Sequence, residues 1–313
     1  DMSEAQGNFS LVGGFGSDRL TGGRFEDSIL GGSGDDIIDG GTGADTIDGG
    51  EGDDQITGGP GDDIINIGSG TDTVTDLESG DIMTIASGAV ANILNISDFI
   101  ATSATVNRGT VSLTSSANGS TILLTDATGP YVINGNDGID IITGGSANDT
   151  IFGGNSGDTL LGGLGDDNIN GELGNDVIDG GDGDDVIDGG SGSDVAVYTG
   201  LQSAYRFGVD VNGLLTITNI STQAVDTLNG IETVQFLDGP IAVSLNTNGI
   251  YTLSGTSVAD TIIVLPAPTG SVPETDLIFR LSAKNIDGQG HSGINGESVY
   301  QWSDLSGNGH NAT

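Results

Sequence analysis

The chain has no cysteine, two methionines, one tryptophan and only 4% aromatic residues, and its 313 residues include just six lysines and arginines. Each shortage closes off a class of explanation. Without cysteine there is no disulfide scaffold and no thiolate metal site, although no compartment follows from that. A net charge of −39 argues against nucleic acid or an anionic membrane surface as a partner, because both need cationic side chains. No apolar run approaches the roughly 20 residues of a membrane-spanning helix. There is no signal-peptide pattern at the start, and Asp1 is what a fragment or processed chain is expected to show. Motifs of the H-E-x-x-H and G-x-S-x-G kind are missing, and His291 and His310 lie in glycine-rich stretches, so no enzyme is expected here.

What the chain does have is glycine, 57 in all, and 45 Asp plus Glu. Both fall in a nine-residue frame. Units begin at Gly13, Gly22, Gly31, Gly40, Gly49, Gly58 and Ile67, and again at Gly135, Gly144, Gly153, Gly162, Gly171, Gly180 and Gly189. A fixed short period of this kind marks a solenoid. The eighth position is aliphatic, as in Ile29, Ile38, Ile47, Ile151, Leu160 and Ile169. One aliphatic per nine residues cannot make an amphipathic helix, and the glycine density forbids one. Three-residue strands around that aliphatic, joined by six-residue glycine turns, can stack as a parallel roll with each aliphatic above its counterpart eighteen residues on.

The sixth position is Asp in every unit: Asp18, Asp27, Asp36, Asp45, Asp54, Asp63 and Asp72, then Asp140, Asp149, Asp158, Asp167, Asp176, Asp185 and Asp194. A turn would accept Asn or Ser there as readily, and none occurs. Units two apart would share an edge of the roll, so Asp36 is expected beside Asp18 and Asp54, and Asp45 beside Asp27 and Asp63. Carboxylates at strand spacing, about 4.8 Å, repel by roughly 4 kcal/mol at an effective dielectric near 20. A dication reverses that sign. Carboxylates with glycine carbonyls make a flexible all-oxygen cage that suits Ca²⁺ better than octahedral Mg²⁺. Seven turns per array leave five gaps, hence about ten calcium ions in all. The arrays hold 28 acids against Arg19 and Arg24, a net −26 that ten Ca²⁺ would bring to about −6.

These units resemble the GGxGxDxUx nonapeptide of the RTX, or haemolysin-type calcium-binding, family. The resemblance covers 126 residues. It implies a parallel β-roll that stays unfolded at low calcium and folds outside the cell, usually after type I secretion. The chain departs from the motif where Phe25, Ala147 and Ser156 replace the third glycine, Ile67 the first, and Asn136 and Glu172 the second. Residues 198–241, with DTLNGIETVQFLDG, resemble the segment that trails such arrays in large bacterial surface proteins. Residues 276–313, with Trp302 to Gly309, resemble the start of a laminin-G-like, concanavalin-type jelly roll.

The expected fold is therefore all-β, with two calcium-binding parallel β-rolls separated and capped by small β elements. The expected divisions are a lead-in at 1–12, array one at 13–75, a β-rich connecting element at 76–134, array two at 135–197, a β-rich cap with a degenerate repeat at 198–265, and a linker with an incomplete laminin-G-like start at 266–313. The expected role is a calcium-binding structural segment of a secreted or cell-surface adhesin, with cell-surface or matrix partners reached through other regions. The alternative is the secretion and folding region of an RTX enzyme or toxin whose catalytic domain lies elsewhere.

Overall fold

The structure is a computed structural model that describes residues 6–245, 251–255, 260–264 and 280–283. The resemblance at 276–313, the linker-like stretch at 266–273, and His291 and His310 therefore lie wholly or almost wholly outside the described residues. The described chain is all-β, with one short 3₁₀ turn at Gln202–Ala204. No helix among these residues is long and apolar enough to cross a membrane.

In array one the strands alternate between two facing sheets, so each sheet receives every second unit. One sheet starts with Ser10–Phe15, Ser28–Ser33, Thr46–Glu51 and Ile64–Ile67, all parallel. The other starts with Arg19–Gly23, Ile37–Gly41, Gln55–Thr57 and Thr71–Val74. Many strands are longer than three residues because they run on through the glycine pair, as SILGGS does at Ser28–Ser33. The aliphatic at position eight is the large inward side chain of these strands, joined by Ile67 in Ile64–Ile67. Ile29 pairs with Ile47 and Ile47 with Ile65, and all three are buried. This is a parallel β-solenoid with a single aliphatic column per sheet.

Residues 76–134 carry the same solenoid on. The second sheet passes without interruption from Thr71–Val74 through Val90–Ile96, Thr110–Ser115 and Val132–Asn134 to Thr150–Asn155, and it contains thirteen strands. Ala91 to Ile100, which the sequence leaves open between helix and strand, forms two strands, Val90–Ile96 and Asp98–Ile100. The coil lengthens here. Leu113 lies twenty residues from both of its partners, Ile93 and Ile133, against eighteen in the arrays. The longer coil admits a core that includes Phe99, Leu113 and Tyr131, all buried.

After array two the pairing turns antiparallel. Val225–Asn229 is the last parallel strand of its sheet, and Leu215–Asn219 and Tyr205–Val209 fold back against it. On a third sheet, which has eleven strands and begins with Asp98–Ile100, Thr233–Phe236 is followed antiparallel by Gly239–Leu245 and Tyr251–Gly255. The faded repeat copy at Ser254 to Val264 adds no parallel coil: Asp260–Val264 runs antiparallel to Tyr251–Gly255. Tyr198, Tyr205, Phe207 and Phe236 close the end of the roll, with ring centroids 5.1–5.9 Å apart.

Candidate metal centre

Every sixth-position aspartate sits at the mouth of a glycine turn, and the turns stack into ladders along both edges. On one edge the Asp18 N–H donates to Asp36 Oδ1, that of Asp36 to Asp54 Oδ1, and that of Asp54 to Asp72 Oδ1, at 2.8–2.9 Å. On the other edge the series runs from Phe9 through Asp27, Asp45 and Asp63. Array two repeats this with Tyr131, Asp149, Asp167 and Asp185, and with Asp140, Asp158, Asp176 and Asp194. Aspartates eighteen residues apart thus meet, and those nine apart do not. The link is a backbone N–H on one carboxylate oxygen, not a carboxylate facing a carboxylate. Among the described residues no three acidic or histidine side chains converge on one point. Any cage there needs backbone carbonyls.

One oxygen of each carboxylate is thereby used, except at Asp18 and Asp140, which open their columns; at Asp140 Oδ1 has no hydrogen-bond partner either. The second, Oδ2, has no hydrogen-bond partner at Asp18, Asp36, Asp45, Asp54, Asp63, Asp72, Asp140, Asp158, Asp167, Asp176, Asp185 and Asp194. Apart from half-buried Asp18, these residues are 0–2% exposed. Such an atom is expensive to bury, and native proteins leave very few. The surroundings show what it faces. A Cβ built on Gly31 would collide with both Asp36 Oδ2 and the carbonyl oxygen of Gly49, one coil further on. Gly40 stands in the same way against Asp45 Oδ2 and the Gly58 carbonyl, and Gly162 against Asp167 Oδ2 and the Gly180 carbonyl. Each of these three gaps brings a bare carboxylate oxygen and a carbonyl oxygen together over a glycine. That donor set is all oxygen and fits a hard cation.

Burial, with help from neighbouring carboxylates, pushes Asp63, Asp167 and Asp185 up to about 7, while the N–H bonds partly offset it. Burial likewise raises Asp45, Asp54, Asp158 and Asp176 to about 6, and Asp140 too. The ionised form is therefore disfavoured unless positive charge joins it.

Two turns differ. At Asp27 the second oxygen accepts the Gly23 N–H, and at Asp149 it accepts the Gly145 N–H, both at 2.6 Å. These are the two units in which Phe25 and Ala147 stand at the third-glycine position. That position has positive φ in the other turns, for example +119° at Gly34 and +124° at Gly52, but not at Phe25 or Ala147. A side chain makes the left-handed region costly, so the turn takes another path and points an amide at its own carboxylate. Ser156 is the control. It accepts φ +97°, and Asp158 Oδ2 next to it stays without a partner.

Sequence reasoning missed three carboxylates that extend the ladders. Asp81 accepts the Asp63 N–H, Asp226 the Asp185 N–H, and Glu232 the Asp194 N–H. Asp81 lies eighteen residues past Asp63, so continuing the frame would have found it. Asp226 and Glu232 are displaced by the inserted hairpin, and no period points to them.

The family model of the RTX calcium-binding nonapeptide repeat matches four times, at residues 12–47, 39–74, 134–169 and 161–196. The two arrays are RTX repeats. The matches end at residue 74 and resume at 134, so the connecting segment of the solenoid is not matched. No curated protein matches the chain. RTX repeats carry a calcium-binding structural role, and no catalytic family is matched alongside them.

Proposed function

We propose that this chain is a calcium-rigidified structural segment of a secreted bacterial surface protein of adhesin type, folding and stiffening on calcium outside the cell. The observation that carries this reading is the row of buried Asp Oδ2 atoms without partners. Each unsatisfied buried polar group costs about 1–3 kcal/mol, and more when charged. Twelve of them rival the whole stability of an ordinary domain, roughly 5–15 kcal/mol. Calcium, when bound, supplies the positive charge that the gaps need. Folding and ion binding are then one equilibrium.

Five gaps per array would hold ten ions, as the spacing suggests. The gaps that begin at Gly22 and Gly144 already have an amide on the carboxylate, so the proposed number within the arrays is eight. The ligands proposed are Asp18, Asp36, Asp45, Asp54, Asp140, Asp158, Asp167 and Asp176, each with carbonyl oxygens of the stacked turns. Asp63, Asp72, Asp185 and Asp194 end their columns and face coils outside the repeat.

The adhesin reading draws support from the uninterrupted thirteen-stranded sheet, a geometry suited to holding other domains at a distance. Export by type I secretion follows the habit of RTX proteins, and surface or matrix partners are reached through other regions. Within these residues the role is not enzymatic. Circular dichroism during a calcium titration tests the reading. β content should be lost in excess chelator and return cooperatively with Ca²⁺, with Mg²⁺ a poor substitute. Equal β content in chelator and in calcium would refute it.

A further inference from the structure

The last repeat turn, Gly189 to Asp194, has no repeat above it, yet its gap is built like those inside the arrays. A Cβ on Gly189 would collide with the carbonyl oxygen of Gly230 and lie 2.8 Å from Asp194 Oδ2, which has no hydrogen-bond partner and is 0% exposed. The same pair of oxygens, taken one coil earlier, stands over Gly171: Asp176 Oδ2 and the Gly189 carbonyl. The position of the next ladder carboxylate is filled as well. Val195 pairs with Thr233, which puts Glu232 in register with Asp194, and Glu232 Oε2 accepts the Asp194 N–H at 2.8 Å.

In a repeat unit the first glycine and the aspartate are five residues apart, whereas Gly230 and Glu232 are two apart. The cap turn is cut short, and Glu232 takes the ladder place that Asp holds in the repeat. Gly230 has φ +60°, whereas the first glycines of the repeat units, such as Gly171 and Gly189, do not have positive φ.

We infer that the junction between array two and the cap is a calcium site of its own, formed by Asp194 Oδ2, the Gly230 carbonyl and the Glu232 carboxylate. It rests on the calcium reading of the arrays. Its consequence is that the cap strand Thr233–Phe236 docks on the roll as part of the calcium-driven transition, so that ion loss frees the cap together with the array.

Native mass spectrometry in calcium, paired with hydrogen exchange over 225–245, tests this on the whole chain with Glu232→Gln and Asp194→Asn. Gln still accepts the Asp194 N–H, and Asn still accepts that of Asp176, so the strand pairing survives while a charge is removed. Glu232→Gln should bind one ion fewer than the parent, with the calcium midpoint for cap protection raised about tenfold. Should Glu232→Gln leave the cap undocked at saturating calcium, Asp194→Asn decides: one ion fewer upholds the site. The parental ion count in both variants overturns it while leaving the arrays' calcium intact. A parent that binds no calcium brings down the array reading itself.

Discussion

The arrays and the segment between them share one solenoid and differ in how they treat buried polar atoms. In residues 76–134 those atoms are matched within the protein. Ser120 Oγ donates to the Ile96 carbonyl at 2.6 Å, Ser115 donates to Gly135, and Asn107 to Pro130. Asp81 has both oxygens occupied, by the N–H groups of Asp63 and Glu78. The Tyr131 hydroxyl is the exception. In the arrays nearly every turn leaves one carboxylate oxygen bare. The connecting coils are also longer and bury larger side chains, Phe99 and Tyr131 among them. One fold is thus stabilised in two ways, by core volume and neutral hydrogen bonds in the middle, and by charge that awaits a cation on either side. Phe25 and Ala147 reproduce the first solution inside the second, since each of their turns satisfies its own aspartate.

The largest expected effect is that of chelation. Hydrogen exchange without calcium should strip protection from the array strands first, with 82–134 exchanging last, and uniform exchange along the chain would erase the distinction. Next comes Asp167→Ala, which removes a bare oxygen and leaves the Asp149 N–H unpaired. A loss of about 1–3 kcal/mol and a rise of tenfold or more in the calcium midpoint are expected by calorimetry and titration. Asn107→Ala, its counterpart in the middle, removes the bonds to the Pro130 carbonyl and from the Gly109 N–H; it should cost about 1–2 kcal/mol and leave the calcium midpoint where it was.

Phe25→Gly and Ala147→Gly each free the turn for positive φ and should add one bound ion, counted by equilibrium dialysis. An unchanged count would separate turn path from ion binding. Gly165→Ala reverses the change. Gly165 has φ +113°, so a side chain there costs roughly 1 kcal/mol or more, and the ion beside Asp167 should be lost. The smallest effect is Asn170→Ala. Asn170 Oδ1 accepts the Glu172 N–H and props that residue at φ +67°, where other turns use glycine. Thermal denaturation in saturating calcium should show about 0.5–1 kcal/mol lost.

The periodic part of this was legible in the sequence. A strict nine-residue frame placed the Ile29, Ile47 and Ile65 column, the alternation of edges, and Asp36 between Asp18 and Asp54. The departures from the motif at Phe25 and Ala147 fall at the two turns whose aspartates accept an amide of their own turn, though the sequence did not point to that amide. That amide depends on φ, and Ser156 shows that residue identity alone does not fix it. The continuation of the roll through 76–134 was hidden because its coils lengthen and drop the aspartate, so no period survives. Glu232 was hidden for a different reason. Its place in the ladder is set by strand register across an inserted hairpin, which only the folded chain reveals.

The most direct measurement is a calcium-bound crystal structure read through the anomalous scattering of calcium. The expected map has peaks in the gaps beside Asp36, Asp45, Asp158, Asp167 and Asp176, and none beside Asp27 or Asp149. Peaks of equal height at Asp27 and Asp149, or bare gaps beside the other five, would break the link between an unpartnered carboxylate oxygen and a bound ion.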